Sequence, residues 1–222
     1  MTVTPARAAG LVLLRQSTPG STALGSTDTL EVLLGRRHRH SRFMPNVYVF
    51  PGGRIDDVDD QPSGFTEAMP SSPGPSPLEE RKLTVFARGA LRETFEETGL
   101  LVGQTVGRTD APPTTASPQT SGVWAAYSQA GLVPAFAVLS LLARAVTPAD
   151  YPIRFDTYFF AADGATAHGD LAGDGELEDL GWVPVGSAPA LPMAEVTRLI
   201  LKEALIRQDD PAETRDLATF SV

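Results

Sequence analysis

Short aliphatic runs alternate with polar, glycine-rich segments along much of this chain. Residues 11–14 and 30–34 are rich in Leu and Val and are bounded by polar side chains, a pattern typical of β-strands. The segment 16–29 between them is rich in Ser, Thr and Gly, which predicts a mobile hairpin loop. Apolar and aromatic runs predict further strands at residues 47–50, 100–106, 154–160 and 176–183.

Apolar residues recur at helical spacing in two other places. The longer helix is predicted to have Ser76 as its N-cap and Pro77 at its first position, and to run to Thr98, where Gly99 ends it. Its predicted buried stripe is Leu83, Phe86, Ala87, Ala90, Leu91 and Thr94. A second amphipathic helix is predicted from the spacing of Met193, Val196, Leu199, Ile200 and Ala204. The remaining segments are a weakly helical one at 122–130, an apolar one at 136–145 that fits helix or strand, and a polar, loose tail past residue 208.

Composition narrows the class of protein. The chain has 222 residues, 42% of them hydrophobic and 20% charged, which fits one globular domain spanning 1–222. It has no cysteine, so disulfides, zinc–thiolate sites and thiol catalysis are excluded, and three histidines make a histidine-built metal site improbable. The net charge of -9 disfavours binding to nucleic acid. Because no apolar run approaches membrane-spanning length and the N-terminal apolar stretch is cut short by Arg15, we expect a cytoplasmic protein that does not bind a membrane.

Three glutamates lie at helical spacing near the end of the longer predicted helix. Glu93, Glu96 and Glu97 are three and four residues apart, so a helix places them on one face. Like charges placed in this way repel, and hard oxygen ligands at this spacing suit a divalent cation such as Mg²⁺. The alternative is an ordinary solvated acidic surface. The metal interpretation requires the three carboxylates to converge with no cationic side chain between them.

A glycine turn upstream makes the metal interpretation more specific. Residues 47–50 lead into Pro51, Gly52 and Gly53, where the lack of side chains lets the backbone pass close to another group. Together with the segment 92–100, Arg-Glu-Thr-Phe-Glu-Glu-Thr-Gly-Leu, this turn resembles the signature motif of the Nudix hydrolases, the Nudix box. The first acidic position of the motif falls on Asp59 when counted from Gly53, and on Thr84 when counted back from Arg92. The mismatch indicates a surface loop inserted at about 56–77 inside the box, and it puts one outer support of the metal site in doubt.

The resemblance implies a fold and a chemistry. The fold is an α/β/α sandwich, with a mixed β-sheet between helices. The activity is hydrolysis of nucleoside diphosphates linked to another moiety, with Mg²⁺ or Mn²⁺ as cofactor. Glu93 and Glu97 would be metal ligands, Glu96 a third ligand or a partner shared by them, and Arg92 would orient the carboxylates. The general base would be a glutamate of the box or a later acid such as Glu176, for which Glu178 and Asp179 are rivals.

Substrate contacts are predicted in and after the densest basic run. Residues 36–42 carry four arginines and two histidines in an acidic chain. Arg42 is the preferred phosphate-binding candidate and Arg37 the second, because arginine can bind phosphate through two hydrogen bonds. Gly52, Gly53 and Arg54 are the other predicted substrate-binding residues. The alternative is a solvated loop without a binding role.

The inserted loop, the glycine turn after a basic run and the strand at 154–157 look like the branch of the family that contains the coenzyme A diphosphatases. The resemblance suggests coenzyme A or acyl-coenzyme A as substrate, with ADP-ribose or another nucleotide sugar as the rival. A non-catalytic nucleotide-binding module is the alternative from another class, since the first glutamate of the motif is missing. Many Nudix proteins are dimers, so a homodimer is possible.

Overall fold

The computed structural model describes residues 3–17, 30–69, 77–105, 122–209 and 217–221. These residues form three α-helices: α1, Pro77–Thr98; α2, Gly122–Ala130; and α3, Glu195–Asp209. The strands, numbered in chain order, are β1 Ala6–Gln16, β2 Leu30–Arg37, β3 Tyr48–Val49, β4 Gly52–Arg54, β5 Leu101–Thr105, β6 Leu132–Pro134, β7 Ser140–Val146, β8 Phe155–Asp163, β9 Ala167–His168, β10 Leu177–Pro184 and β11 Ala218–Ser221.

Most strands join one mixed sheet in the order β10-β2-β1-β8-β7-β11, and a smaller sheet has the order β6-β5-β9. In the large sheet β1 runs parallel to β8, whereas its pairings with β2 and β4 are antiparallel. The short strand β4 pairs through Gly52 and Gly53 with Gly10 and Ala9 of β1. The glycine turn is therefore fixed on the central strand of the sheet, beside α1.

The alternation of side chains along β1 divides the core between two faces of the sheet. Leu11 and Leu13 belong to a buried cluster that includes Phe86 and Leu91 of α1. Val12, on the opposite face, belongs to a second cluster with residues of α3, among them Ile200, Leu201 and Ala204. Helices thus cover both faces, and the predicted α/β/α sandwich with a mixed sheet is confirmed.

The helix α1 follows its predicted pattern. Every residue of the predicted stripe is buried except Leu83, which is half-buried against the first cluster. Thr94 and Thr98 are buried, and neither hydroxyl is left without a partner, because each donates to the backbone oxygen four residues earlier. Gly99 follows with a φ of 74°, the left-handed conformation that ends a helix. The helix therefore ends where the sequence predicted, directly after Glu97 and Thr98.

The first part of the insertion, residues 56–69, contains no helix or strand and is anchored to the rest of the fold at a few buried residues. Asp59 and Ser63 are each 1% exposed, and the ring of Phe65 packs edge-on against Tyr127, with centroids 6.1 Å apart. Arg88 of α1 holds the segment by donating to both carboxylate oxygens of Glu67 and to the backbone oxygen of Asp59. Buried ionic contacts, which an apolar pattern does not register, therefore fix residues 56–69 against the helix.

Two predictions change. Residues 218–221 of the predicted loose tail form β11, parallel to β7, because their backbone groups complete the edge of the sheet. The undecided segment 136–145 is a 3₁₀ turn at Phe136–Val138 followed by β7. The predicted cap Ser76 and the loop residues 18–29 lie outside the described residues. No helix in the described ranges is long and apolar enough to cross a membrane.

Candidate active site

One cavity of about 910 Å³ gathers every residue that the sequence predicted for the site. It opens beside the C-terminal half of α1, the glycine turn and the loop before β10. Its lining includes the predicted acidic and orienting residues Glu93, Glu96, Glu97, Glu176 and Arg92, and the predicted substrate-binding residues Arg37, Arg42, Gly52, Gly53 and Arg54. Segments more than a hundred residues apart in sequence therefore meet at this cavity.

The glycine turn contacts two of the glutamates directly. The backbone N–H of Gly52 donates to Oε2 of Glu97 at 2.7 Å. A Cβ atom placed on Gly53 would lie 2.4 Å from the carboxylate carbon of Glu93, so a side chain at this position would displace that carboxylate. The turn thus needs glycine because α1 brings its carboxylates against the backbone of β4.

Arg92 is the centre of an ionic network under the cavity. Its Nε and one terminal nitrogen donate to the two oxygens of Asp59, at 3.0 and 2.8 Å. Its other terminal nitrogen donates to Oε1 of Glu93 at 2.9 Å and to Oε2 of Glu96 at 2.8 Å. The backbone oxygen of Arg54 accepts a further hydrogen bond at 2.9 Å. Arg92 therefore fixes one oxygen of each of two glutamates.

These contacts meet the requirement for a metal site only in part. Arg92 lies against Glu93 and Glu96, whereas its nitrogens make no described hydrogen bond to Glu97. In the described residues, no three acidic or histidine side chains already have the arrangement of a metal site. Two carboxylate oxygens are nevertheless suited to bind a hard cation, because no described residue donates a hydrogen bond to Oε2 of Glu93 or to Oε1 of Glu97.

The electrostatics of Glu97, which is buried, and of Glu93, which is half-buried, also suit a cation. The pKa of Glu97 is raised to about 8, mainly by burial and also by the nearby charges of Glu93 and Glu176, against the hydrogen bond from Gly52 and the charge of Arg37. Burial likewise raises the pKa of Glu93 to about 7, although Arg92 opposes this shift. Negative charge in this cavity is therefore unfavourable without a further positive partner.

The structure separates Glu176 from its rivals. Glu176 lines the cavity and its charge acts on Glu97, and its backbone N–H donates to the side chain of Asp174 at 2.9 Å. Glu178 and Asp179 instead form ion pairs with Arg36, each at 2.8 Å. The strand β10 is irregular between Glu178 and Gly181, so alternation along the strand does not predict which acid faces the cavity.

The arginines of the basic run, residues 36–42, also differ in whether they line the cavity. Arg36 is occupied by its two acidic partners, and Arg39 donates to His40. Arg37 and Arg42 line the cavity. Nε of Arg37 is buried without a hydrogen-bond partner among the described residues, and its charge acts on Glu97. Arg42 is exposed. Arg37, the second candidate from the sequence, is therefore the arginine held closer to the carboxylates.

Some residues of the site were not predicted from the sequence. Asp59 was placed in the motif by counting, yet its contact with Arg92 was not foreseen, because the register of an inserted loop leaves no periodic signal. Asp174, which also lines the cavity, was passed over within a Gly- and Asp-rich turn. Phe43 and Phe155 line the cavity too, and the aromatic strand containing Phe155 was the only signal for them.

No protein-family model and no curated protein sequence matches the chain. Solved structures do match it. A Nudix hydrolase from Alicyclobacillus acidocaldarius is 26% identical with a TM-score of 0.68, and the match covers 98% of this chain and 99% of that one. The Nudix domain of Shewanella oneidensis NrtR, solved in complex with ADP-ribose, is 15% identical with a TM-score of 0.50, over 93% of this chain and 90% of that one. The chain is therefore similar over nearly its whole length to a solved Nudix hydrolase, and its helix α1 carries glutamates at the spacing of the Nudix box.

Proposed function

We propose that this protein is a metal-dependent pyrophosphohydrolase that cleaves the diphosphate of a nucleoside diphosphate linked to another moiety. The observation that carries the proposal is the shared cavity, in which buried carboxylates on α1 face the arginines of the basic run. Net negative charge alone would repel a diphosphate, so local cationic groups are needed to bind it. The arrangement supports binding and hydrolysis at one place.

The reaction is the attack of a water oxygen on one phosphorus atom, with cleavage of the bridging P–O bond. Two phosphate monoesters form and the proton of the water passes to a base. Glu97 and Glu176 are the candidate bases, because both carboxylates line the cavity close enough for the charge of Glu176 to act on Glu97. Arg37 would bind the phosphate oxygens, and Arg92 would hold Glu93 and Glu96 in place.

The residues fit Mg²⁺ or Mn²⁺, with Glu93 and Glu97 as ligands and Glu96 as a third ligand or shared partner. Glu93 and Glu97 each lack a cation at their second oxygen among the described contacts, and both have raised pKa values. A bound divalent ion would neutralise the phosphates and acidify the attacking water. The chain itself would supply orientation, through Arg92 and the N–H of Gly52.

Two compounds are the leading candidates for the substrate. Coenzyme A or acyl-coenzyme A is suggested by the resemblance of the motif region to the coenzyme A diphosphatases. ADP-ribose is suggested by the ligand of the NrtR domain, whose similarity to this chain concerns the fold. A mixture of diphosphates, with each product identified by its mass, would distinguish the two, because the mass gives both the compound and the bond that was broken.

A nucleotide-binding module without catalysis is the second candidate function. The contacts of Arg92 with Glu93 and Glu96 favour it, because a cation already partners two of the three carboxylates. The deciding experiment incubates the protein with the diphosphate panel with and without Mg²⁺ and measures phosphate monoester release. Turnover that depends on Mg²⁺ supports the hydrolase, whereas nucleotide binding without turnover of any compound supports the module.

A further inference from the structure

The cavity extends well beyond the glutamates, across the large sheet. The backbone of β4 pairs with β1, β1 pairs with β8, and β8 pairs with β7. Neighbouring strands lie about 4.8 Å apart, so these three steps span about 14 Å. Residues from all four strands line the cavity, among them Gly10, Thr157 and Ala145. There is room for a group attached to the diphosphate, over β8 and β7.

Small residues form the floor of this extension. Gly10 of β1 lies opposite both Gly52 and Phe159 in the sheet, and a Cβ atom on Gly10 would lie 2.9 Å from the ring of Phe159. Ala8 of β1 and Ala145 of β7 also line the cavity. The ring of Phe159, which also lines the cavity, covers Gly10, and the small side chains of Ala8 and Ala145 leave space beside it that larger side chains would fill.

Two aromatic rings line the cavity beside Arg54. Phe43 and Phe155 are both half-buried, and their rings meet edge-to-face with centroids 5.0 Å apart. Neither ring belongs to either apolar cluster formed by the described residues. The guanidinium of Arg54 lies 5.6 Å from the centre of the Phe155 ring. Core packing therefore does not account for these rings, and a cationic group adjoins one of them.

The loop that carries Phe43 has an unfavourable backbone. Met44 has a φ of 47°, in the left-handed region that a bulky residue rarely adopts, whereas Asn46, with a φ of 60°, is a residue type that tolerates this region. The loop is held in this form by the N–H of Asn46, which donates to the backbone oxygen of Arg37, and by Arg36, which donates to the Asn46 side chain. Backbone strain of this kind persists where surrounding contacts enforce it, commonly at ligand sites.

We propose that Phe43 and Phe155 form the nucleobase subsite of this cavity. The base would stack on the exposed face of the aromatic pair while the diphosphate extends over the glycine turn to the glutamates. Each of the nucleobases has a flat face that can stack on such rings, and a neighbouring arginine adds to the attraction. This inference rests on the proposed function, since it assigns the nucleoside end of that substrate.

The test compares two ligands that differ only in the base. Binding of AMP and of ribose 5-phosphate is measured by calorimetry for the wild type and for Phe155→Leu, with Tyr151→Leu as the matched control. Tyr151 is exposed and does not line the cavity. Phe155→Leu is expected to weaken AMP binding about 10-fold or more and to leave ribose 5-phosphate binding unchanged. Tyr151→Leu should change neither. Phe155→Trp, which keeps an aromatic face, should restore AMP binding.

Other outcomes overturn the proposal. An equal loss of affinity for AMP and ribose 5-phosphate would mean a general change in the cavity. Unchanged AMP binding would mean that the base lies elsewhere. Weaker binding of an alkyl phosphate, with AMP unaffected, would assign this end to an apolar chain. If Phe155→Leu does not fold, as judged from its melting temperature, Phe43→Leu provides the same comparison.

The subsite and the hydrolase can fail separately. Selective loss of AMP binding in a protein that hydrolyses no diphosphate would keep the subsite and reject the hydrolase. Turnover of nucleoside diphosphate compounds with the same KM in Phe155→Leu as in the wild type would keep the hydrolase and reject the subsite. A raised KM with unchanged kcat is the result expected when both are correct.

Discussion

Arg92 and Asp59 form a two-point ion pair beneath the glutamates, with both oxygens of the carboxylate bonded to the guanidinium. Asp59 comes from the insertion, 33 positions before Arg92. The pair is buried, and the remaining nitrogen of Arg92 bonds Glu93 and Glu96. The insertion therefore acts on the orientation of two carboxylates through one guanidinium.

Asp59→Asn should weaken both stability and activity. Removing the charge of a buried ion-pair partner leaves Arg92 uncompensated and costs about 3 kcal/mol or more in the free energy of unfolding. Loss of a group that orients metal ligands typically lowers metal affinity or activity about 10- to 100-fold. Chemical denaturation and the Mg²⁺ dependence of turnover measure the two effects. Asp60→Asn is the control, since Asp60 pairs with Arg7 on the surface, and wild-type Mg²⁺ dependence in Asp59→Asn would contradict the orienting role.

Glu97→Gln should abolish turnover without destabilising the protein. The carboxylate is 5% exposed and its pKa is raised by burial to about 8, so the charged form is unfavourable in the folded state at neutral pH. A neutral amide keeps the shape and can still accept the hydrogen bond from Gly52. We expect turnover to fall by orders of magnitude and the melting temperature to stay level or rise. Glu80→Gln, an exposed position on the same helix, is the control, and a large fall in melting temperature for Glu97→Gln would mean a structural role.

Stability of the metal-free protein should fall as pH rises through the neutral range. Burial raises the folded-state pKa of Glu93 to about 7 and that of Glu97 to about 8, above the ordinary glutamate value of 4.5. Between these values the folded state binds more protons than the unfolded state, so the favourable contribution present below pH 4.5 is lost as pH rises to about 8. Glu67, whose pKa is lowered mainly by Arg88 against the effect of burial, acts in the opposite direction at more acidic pH.

Melting curves across this pH range, with and without Mg²⁺, measure the effect. Mg²⁺ binds the charged carboxylates, so its stabilisation should grow with pH and flatten the dependence. Glu97→Gln should remove part of the slope in the metal-free protein. A metal-free protein that becomes more stable between pH 5 and 8 would show that these two carboxylates do not control its pH response.

Local patterns predicted the scaffold of the site better than its contacts. The spacing of Glu93 and Glu97 and the position of Gly99 specify one helix face and its end, so sequence alone was sufficient there. The packing of Asp59 on Arg92 depends on the path of an inserted loop, and the strand at 218–221 depends on an open sheet edge. Both are tertiary effects that no periodicity encodes.

Both Arg37 and Arg42 line the cavity, but the position of Arg37 beside Glu176 was not predicted from the sequence. Nearness in sequence to Gly53 favoured Arg42, whereas the antiparallel pairing of β2 and β10 brings Arg37 opposite Leu177, next to Glu176. Sequence distance along a loop does not report distance across a sheet. The glycines, by contrast, were informative, because a Cβ atom on Gly53 would meet the carboxylate of Glu93 and one on Gly52 would meet the backbone of Ala9 and Gly10.

Arg37→Ala should have two separately measurable effects, one on substrate binding and one on the pKa of Glu97. Nε of Arg37 is buried without a described partner, and its charge lowers the pKa of Glu97. Its removal should raise KM for diphosphate substrates about 10-fold or more, since a hydrogen bond to a charged group contributes about 1.5–3 kcal/mol. It should also raise the pKa of Glu97 further, which moves the ascending limb of the pH–rate profile to higher pH.

The controls for this variant lie in the same basic run. Arg39→Ala removes an exposed arginine that bonds only His40 among the described residues, and should change neither KM nor the profile. Arg37→Lys keeps the charge but not the two-point geometry, so it should restore the profile and only part of the affinity. If Arg37→Ala shifts the profile while KM is unchanged, the guanidinium acts on Glu97 alone. Phosphate binding would then fall to Arg42, the first choice from the sequence.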